Sequence, residues 1–289
     1  MMPQPHAGND EGSGHQVASS ADVVSVMMYN SCMQNLLFQP LRVGPREIPN
    51  RIIFGSHTTN FAQHNLLSER HGDYYAARAQ GGAGAIVLEE HIVHPSDLPY
   101  QNALLGYLPG TTEAIARVTE RISAHSTLVL VQLNHNGQQS ISDHRQRELW
   151  APSAVPGVAS REVPKVMEQA DIAAVIAGFA AVAQTARQAD ADGVELNISD
   201  SSLLRQFLSP LTNQRSDHYG GSLENRLRFV QETLEAADSA LGREHILGVR
   251  LCADELAPWA GLTPEQSIEI AKILAATGRV DYMTITMGS

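Results

Sequence analysis

The sequence predicts an α/β protein folded as a TIM (β/α)8 barrel, incomplete because six of the eight strands are present. Three observations lead there. Short, apolar, β-branched segments alternate with helical ones, the pattern of a parallel sheet buried on both faces. The segment that follows the first core strand, "FGSHTTNF", lacks the GxGxxG fingerprint of an open dinucleotide-binding sheet. Polar side chains gather at the C-terminal ends of the strands, where a barrel builds its site: Ser56, His57 and Thr58; Glu89 and Glu90; Gln132; Asn197 and Asp200; Arg250.

Taken in order, "LRVGPREIPN" reads as a small hairpin around Gly44-Pro45, and "RIIFGSHTT" (51–59) as the first buried strand. "SERHGDYYAARAQGG" (68–82) is a helix closed by glycines. "AGAIVLEEHIV" (83–93) is the next strand, Thr111 to His125 a helix, and "TLVLVQLNH" (127–135) a strand again. A loop rich in Pro and Ser runs on toward residue 170, and a helix follows over 171–191 with Asp171 placed as its cap. Strand 192–199, helix 222–241, strand 246–252, helix 263–278 and strand 280–287 complete the rhythm. In the last helix Thr263 caps, Pro264 occupies the first turn and Gly278 sits at the exit.

One connection is unusual. "LRQFLSPLTNQRSDHYGGSLENRLRF" (204–229) has no clean hydrophobic period at its centre, yet holds Asn213, Arg215, Asp217 and Gly220-Gly221. An Arg/Asp pair and paired glycines are what a long loop needs to order itself.

Bulk properties narrow the function. A net charge of −11 argues against general affinity for nucleic acid or anionic membrane. No apolar run approaches the roughly 18 residues of a membrane span. Two cysteines, Cys32 and Cys252, with no CxxC pair, exclude a zinc knuckle and a cysteine-ligated iron–sulfur cluster and suit a reducing, cytoplasmic setting. Glu89, Glu90, His91 and His94 alternate along one strand and point to different faces, so no metal site is expected. Residues 1–34 are Gly/Ser/Asp-rich at the start and read as a disordered extension; 35–289 reads as the partial barrel.

Several dispersed segments in matching order carry a resemblance: "PLRVGPREIPNRIIFG", "GGAGAIVLEE", "VQLNHNG", "APSAVP", "DGVELN" followed by the 204–229 connection, and "GVRL". Over residues 36–289 the chain resembles the old yellow enzyme family, in particular the subgroup containing 2,4-dienoyl-CoA reductase and trimethylamine dehydrogenase. The resemblance implies an FMN-dependent oxidoreductase, NADH:flavin oxidoreductase-like. Hydride would pass between reduced flavin and a small organic substrate, NADH or NADPH would serve as electron donor, and there is room for a homo-oligomer.

The resemblance also implies roles. Gln132, whose amide both donates and accepts, matches the glutamine on the flavin pyrimidine edge. Arg250 matches the arginine that faces flavin N1 and stabilises the reduced anionic ring. Thr58 matches a threonine near flavin C4=O, and Gly55 allows close backbone approach. Ser56 and His57 depart from the commoner Pro and Met, and Glu90 stands where a small residue usually lies over the ring. The substrate-polarising positions, commonly two histidines or His and Asn with a tyrosine two residues on, fall on Asn197, Asp200 and Ser202. An ionised Asp200 opposes enolate charge and suits a cationic or amine substrate instead; a protonated one would donate. The family holds the FMN phosphate after strands seven and eight, which the sequence does not reach. The domain is therefore expected to be a fragment, a truncated reading frame or one part of something larger. The alternative reading is a non-catalytic remnant that cannot retain FMN.

Overall fold

A computed structural model describes residues 36–158 and 160–288. The extension expected over 1–34 and Cys32 lie outside the described residues. The chain enters through an antiparallel hairpin of β1 (Leu41–Val43) and β2 (Arg46–Ile48). Gly44 makes its turn with φ 53°, and a Cβ there would stand 2.4 Å from the Asp281 carboxyl carbon, so only glycine fits.

The main sheet follows: β3 (Ile53–Phe54), β4 (Ala85–Ile92), the short β5 (Leu104–Leu105) paired to the far end of β4, and β6 (Leu128–Asn134). A separate ribbon of β7 (Trp150–Ala151) and β8 (Lys165–Val166) interrupts before β9 (Gly193–Ile198), β10 (Ile246–Cys252) and β11 (Tyr282–Thr286) rejoin the sheet. All neighbours in the main sheet are parallel, in the order β3-β4-β6-β9-β10-β11. Spatial order equals chain order and never reverses. That is the singly wound arrangement of a barrel, since a doubly wound sheet has a reversal point. Among the described residues six strands form this path, with β3 and β11 at the two ends.

The helices are α1 (Glu69–Gln80), α2 (Thr111–Ser123), α3 (Gln169–Gln188), α4 (Leu203–Leu208), α5 (Leu223–Leu241) and α6 (Pro264–Ala276). They bury Tyr75, Phe179, Phe207 and Phe229 in one core with Ile86, Leu88, Val131 and Leu196 of the strands. The Phe207 and Phe229 rings lie 4.4 Å apart. By length and composition α3 has a segment apolar enough to span a bilayer. Its stripe of Ile172, Val175, Phe179, Val182 and Ala186 is buried against the core, as in an ordinary barrel helix.

Three expectations need correction. The first barrel strand keeps only two paired residues, because the backbone leaves the sheet after Phe54 and the Ser56 carbonyl takes a hydrogen bond from Arg250 Nη1 instead (3.0 Å). Asp171 is not the cap of α3. The helix starts two residues earlier, with Glu168 at the cap position, and the Asp171 carboxylate reaches back to the Glu168 N–H (2.8 Å) and to Lys165 Nζ (2.8 Å). Finally, the opening of the 204–229 connection is helical. Ser202 caps α4 by accepting from the Leu204 N–H (3.1 Å).

The rest of that connection orders itself as expected. Asn213 Nδ2 donates to the Phe207 and Tyr219 carbonyls (2.7 and 2.8 Å). Arg215 pairs with Asp217 (2.6 Å) and donates to the Pro152 and Met167 carbonyls (3.0 and 2.7 Å), pinning the β7–β8 ribbon to the loop. A Cβ at Gly220 would collide with the Arg215 carbonyl at 2.3 Å, and Gly221 has φ 79°.

Candidate active site

A cavity of about 240 Å³ opens at the C-terminal ends of the strands. Ser56, His57, Thr58, Glu90, Gln132, Asn197, Asp200 and Arg250 line it together with Ser199 and Ser201. Residues far apart in sequence meet there because parallel strands deliver their C-terminal ends to the same rim. Gly55 sits beside this group without lining the cavity; a Cβ on it would meet nothing within 4 Å, so the backbone faces open space. Ser202 is absent from the lining. It is fully buried, donating its hydroxyl to the Asn197 carbonyl while capping α4, and so is not placed to give a proton to a bound molecule.

The cavity floor is a fixed polar chain. Ser56 Oγ donates to Gln132 Oε1 (3.0 Å), and Gln132 Nε2 donates to Glu195 Oε1 (2.8 Å). Glu195 in turn accepts from Tyr282 Oη (3.0 Å) and Thr284 Oγ1 (2.9 Å) through its other oxygen. Both ends of the Gln132 amide are thereby assigned, and each still has capacity for one further hydrogen bond. Glu195 is 1 % exposed and was not among the expected site residues, although a carboxylate inside the apolar "GVELNI" strand signals a buried partner.

Arg250 is half-buried on β10, and its only protein hydrogen bond among the described residues is to the Ser56 carbonyl. Among the described residues no carboxylate lies within ion-pair distance, so its remaining N–H groups are left for the cavity. Asn197 spends its side-chain Oδ1 on the Ser199 N–H (3.0 Å) and Oγ (2.8 Å), which leaves its NH₂ as a donor. His57 is held by Tyr74 Oη at 2.7 Å from Nε2 and packs edge-on against Phe54 (5.2 Å).

The two neighbouring glutamates separate. Burial alone would raise Glu89, but its pairing with His71 and hydrogen bonds from the Thr59 N–H (2.5 Å) and Oγ1 (2.9 Å) hold it below the usual carboxylate range. It is a structural clasp between α1 and the β3 loop. Glu90 faces the cavity instead, after a register shift of the β4–β6 pairing between Leu88 and His91. Burial pushes its carboxyl up to about 7, against donation from Asn134 Nδ2 (2.5 Å) and Tyr100 Oη (3.0 Å). Tyr100, Asn134 and Asn136 were not expected at the site, since all three come from loops or strand ends that sequence alone does not fold back.

The Ser202 cap gives a first expected outcome. Ser202→Ala should cost about 1–2 kcal/mol, the usual price of an N-cap, as a lowered urea midpoint. An unchanged midpoint would mean α4 is held by packing alone.

Residues 36–285 match the model of the NADH:flavin oxidoreductase / NADH oxidase family. The probable N-methylproline demethylase of Rhizobium meliloti strain 1021 is 34% identical over 257 residues, 87% of this chain and 37% of that protein. An NADPH dehydrogenase of Bacillus velezensis is 32% identical over 263 residues, 89% of this chain and 75% of that protein. The structure of the old yellow enzyme homologue from Zymomonas mobilis superposes with a TM-score of 0.80 at 28% identity, covering 88% of this chain and 74% of that one. The chain thus spans little more than a third of the demethylase and about three-quarters of the two shorter proteins.

Proposed function

The chain belongs to the NADH:flavin oxidoreductase / NADH oxidase family, and from that premise we propose that it is part of an FMN-dependent oxidoreductase of the old yellow enzyme type whose site takes small amines. The observation that carries the flavin reading is the meeting of the Arg250 guanidinium, without a carboxylate partner among the described residues, and the buried Gln132 amide on one cavity. This donor set fits the group. An isoalloxazine ring offers a carbonyl- and nitrogen-rich edge, which needs a bidentate amide and a cation, and Gly55 leaves backbone space beside them.

When bound, the flavin supplies two-electron hydride chemistry. The chain's own residues bind and orient. Gln132, locked by Ser56 and Glu195, presents one donor and one acceptor at a fixed angle. Arg250 would supply positive charge to offset the negative charge of a reduced ring. On the substrate side, Asn197 offers a donor and Asp200 a carboxylate. A cavity with carboxylates at Glu90 and Asp200 selects cations over oxyanions. The name of the demethylase relative supports an amine, and that of the dehydrogenase relative supports NADPH, or NADH, as electron donor.

The test is FMN titration of the chain, followed by quenching of flavin fluorescence. Arg250→Ala should weaken retention roughly 10- to 100-fold, matching the loss of about 1.5–3 kcal/mol for a charged hydrogen bond. Equal affinities in the two proteins would remove Arg250 from the flavin site.

A further inference from the structure

Glu90 is a carboxylate set into a cavity wall that makes no ion pair among the described residues. Its three partners are all neutral donors: Tyr100 Oη on Oε1 (3.0 Å), and Asn134 Nδ2 (2.5 Å) and Asn136 Nδ2 (3.5 Å) on Oε2. Such a shell tolerates both protonation states, since each donor stabilises the anion and none forces it. A structural carboxylate is built differently, as the adjacent Glu89 shows, clasped by His71 and Thr59. Asp97 shares Asn136 with Glu90 through Oδ2 (3.2 Å) and disfavours a second negative charge.

We propose that Glu90, positioned by Tyr100, is the proton acceptor of the site, taking the proton of a bound alkylammonium so that the neutral amine is presented for oxidation. The proposal rests on the amine reading given above. In this step one N–H bond of the ammonium breaks and its electron pair stays on nitrogen as the lone pair. The proton forms an O–H bond on Glu90, and no oxidant is consumed. The reason for the step is chemical: an amine yields hydride from its α-carbon only when the nitrogen lone pair is free to stabilise the cation that forms.

The surroundings favour the transfer. In water an alkylammonium holds its proton more tightly than a carboxyl titrating near 7. Burial in the cavity and the Arg250 guanidinium of β10, which lines the same cavity, both disfavour the ammonium form. The remaining charged or titratable groups around Glu90 are Asp200 after β9, whose carboxylate lines the same cavity, His57 after β3, and Asp97 and Tyr100 after β4. Glu89 and His91, its neighbours on β4, are engaged with His71 and with the Glu89 carbonyl and do not line the cavity.

The experiment is carbon-13 NMR of the full chain labelled at glutamate carboxyls, with Glu90→Gln identifying the resonance. Two probes are added: N-methylpyrrolidine, whose ammonium form carries a proton, and N,N-dimethylpyrrolidinium, which has none to give. Free Glu90 should titrate near 7, and Tyr100→Phe should move that midpoint upward because a donor to the anion is lost. Above the midpoint, N-methylpyrrolidine should drive the Glu90 signal to its protonated position while N,N-dimethylpyrrolidinium leaves it ionised. Affinity for the permanent cation should rise about tenfold between about pH 6 and 8 and lose that dependence in Glu90→Gln. If N-methylpyrrolidine binds and Glu90 stays ionised, the proton-acceptor assignment is overturned and the amine reading survives. Absence of binding by either cation overturns both, while FMN fluorescence in the same samples reports separately on the flavin site.

Discussion

Arg205→Ala should destabilise the protein by about 3–5 kcal/mol, the cost of leaving one member of a buried ion pair alone. Arg205 and Glu255 are 2 % and 3 % exposed and form a direct pair between α4 and the loop after β10. Each is further engaged. The Arg205 guanidinium donates to the Asp200 carbonyl (2.9 Å) and to Gln139 Oε1 (3.1 Å), while Glu255 accepts from Ser209 Oγ (2.6 Å) and the Leu262 N–H (2.6 Å). Three strand-end loops, after β6, β9 and β10, are thus tied at one point beneath the cavity rim. Removing the guanidinium leaves a carboxylate buried without its cation, against a total stability of about 5–15 kcal/mol for a typical domain. Chemical unfolding followed by circular dichroism measures this. Arg205→Met combined with Glu255→Leu should recover much of the loss, because no orphan charge remains. A single variant within about 1 kcal/mol of wild type would mean that water reaches the pair and screens it.

The same pair marks a limit of sequence reading. Strands and helices were legible because apolar periodicity is local: "AGAIVLEEHIV" and "TLVLVQLNH" contain their own evidence for β4 and β6. The polar strand ends followed from barrel geometry, and eight of the ten expected site residues line one cavity. Gly55 and Ser202 are the two that do not. Ser202 was expected at the site because it matches the position of the family's tyrosine, but a serine directly before "LLRQFL" is also an N-cap signal, and the capping role prevails. Tyr100, Asn134 and Asn136 were not legible because they reach Glu90 only once separate loops fold over the strand ends, and nothing in a local window reports that. Asp171 shows a smaller version of the difficulty. Its carboxylate does satisfy a helix-end N–H, but from inside the first turn rather than from the cap.

Asp200→His should raise reduction of simple enones by roughly 100- to 1,000-fold, the scale of about 2.7–4 kcal/mol for one oxyanion donor. Asn197 lines the cavity with its side-chain Oδ1 held by Ser199, which leaves its NH₂ as one donor. A substrate carbonyl that becomes an enolate needs a second donor beside it. The wall supplies the carboxylate of Asp200 there, which repels the developing negative charge. An imidazole N–H at that position removes the repulsion and adds the donor. Ser202→Tyr adds nothing to this variant, since position 202 is buried under α4 and a large side chain would break the cap instead of reaching the substrate. The same substitution should weaken binding of N,N-dimethylpyrrolidinium, because the cavity loses one of its two carboxylates. Both effects are read on the chain loaded with FMN and chemically reduced without oxygen, so that no pyridine nucleotide is involved. If wild type already reduces enones well and Asp200→His neither speeds that reaction nor weakens the cation, Asp200 does not face the reacting carbonyl, and the selection for cations must come from Glu90 alone.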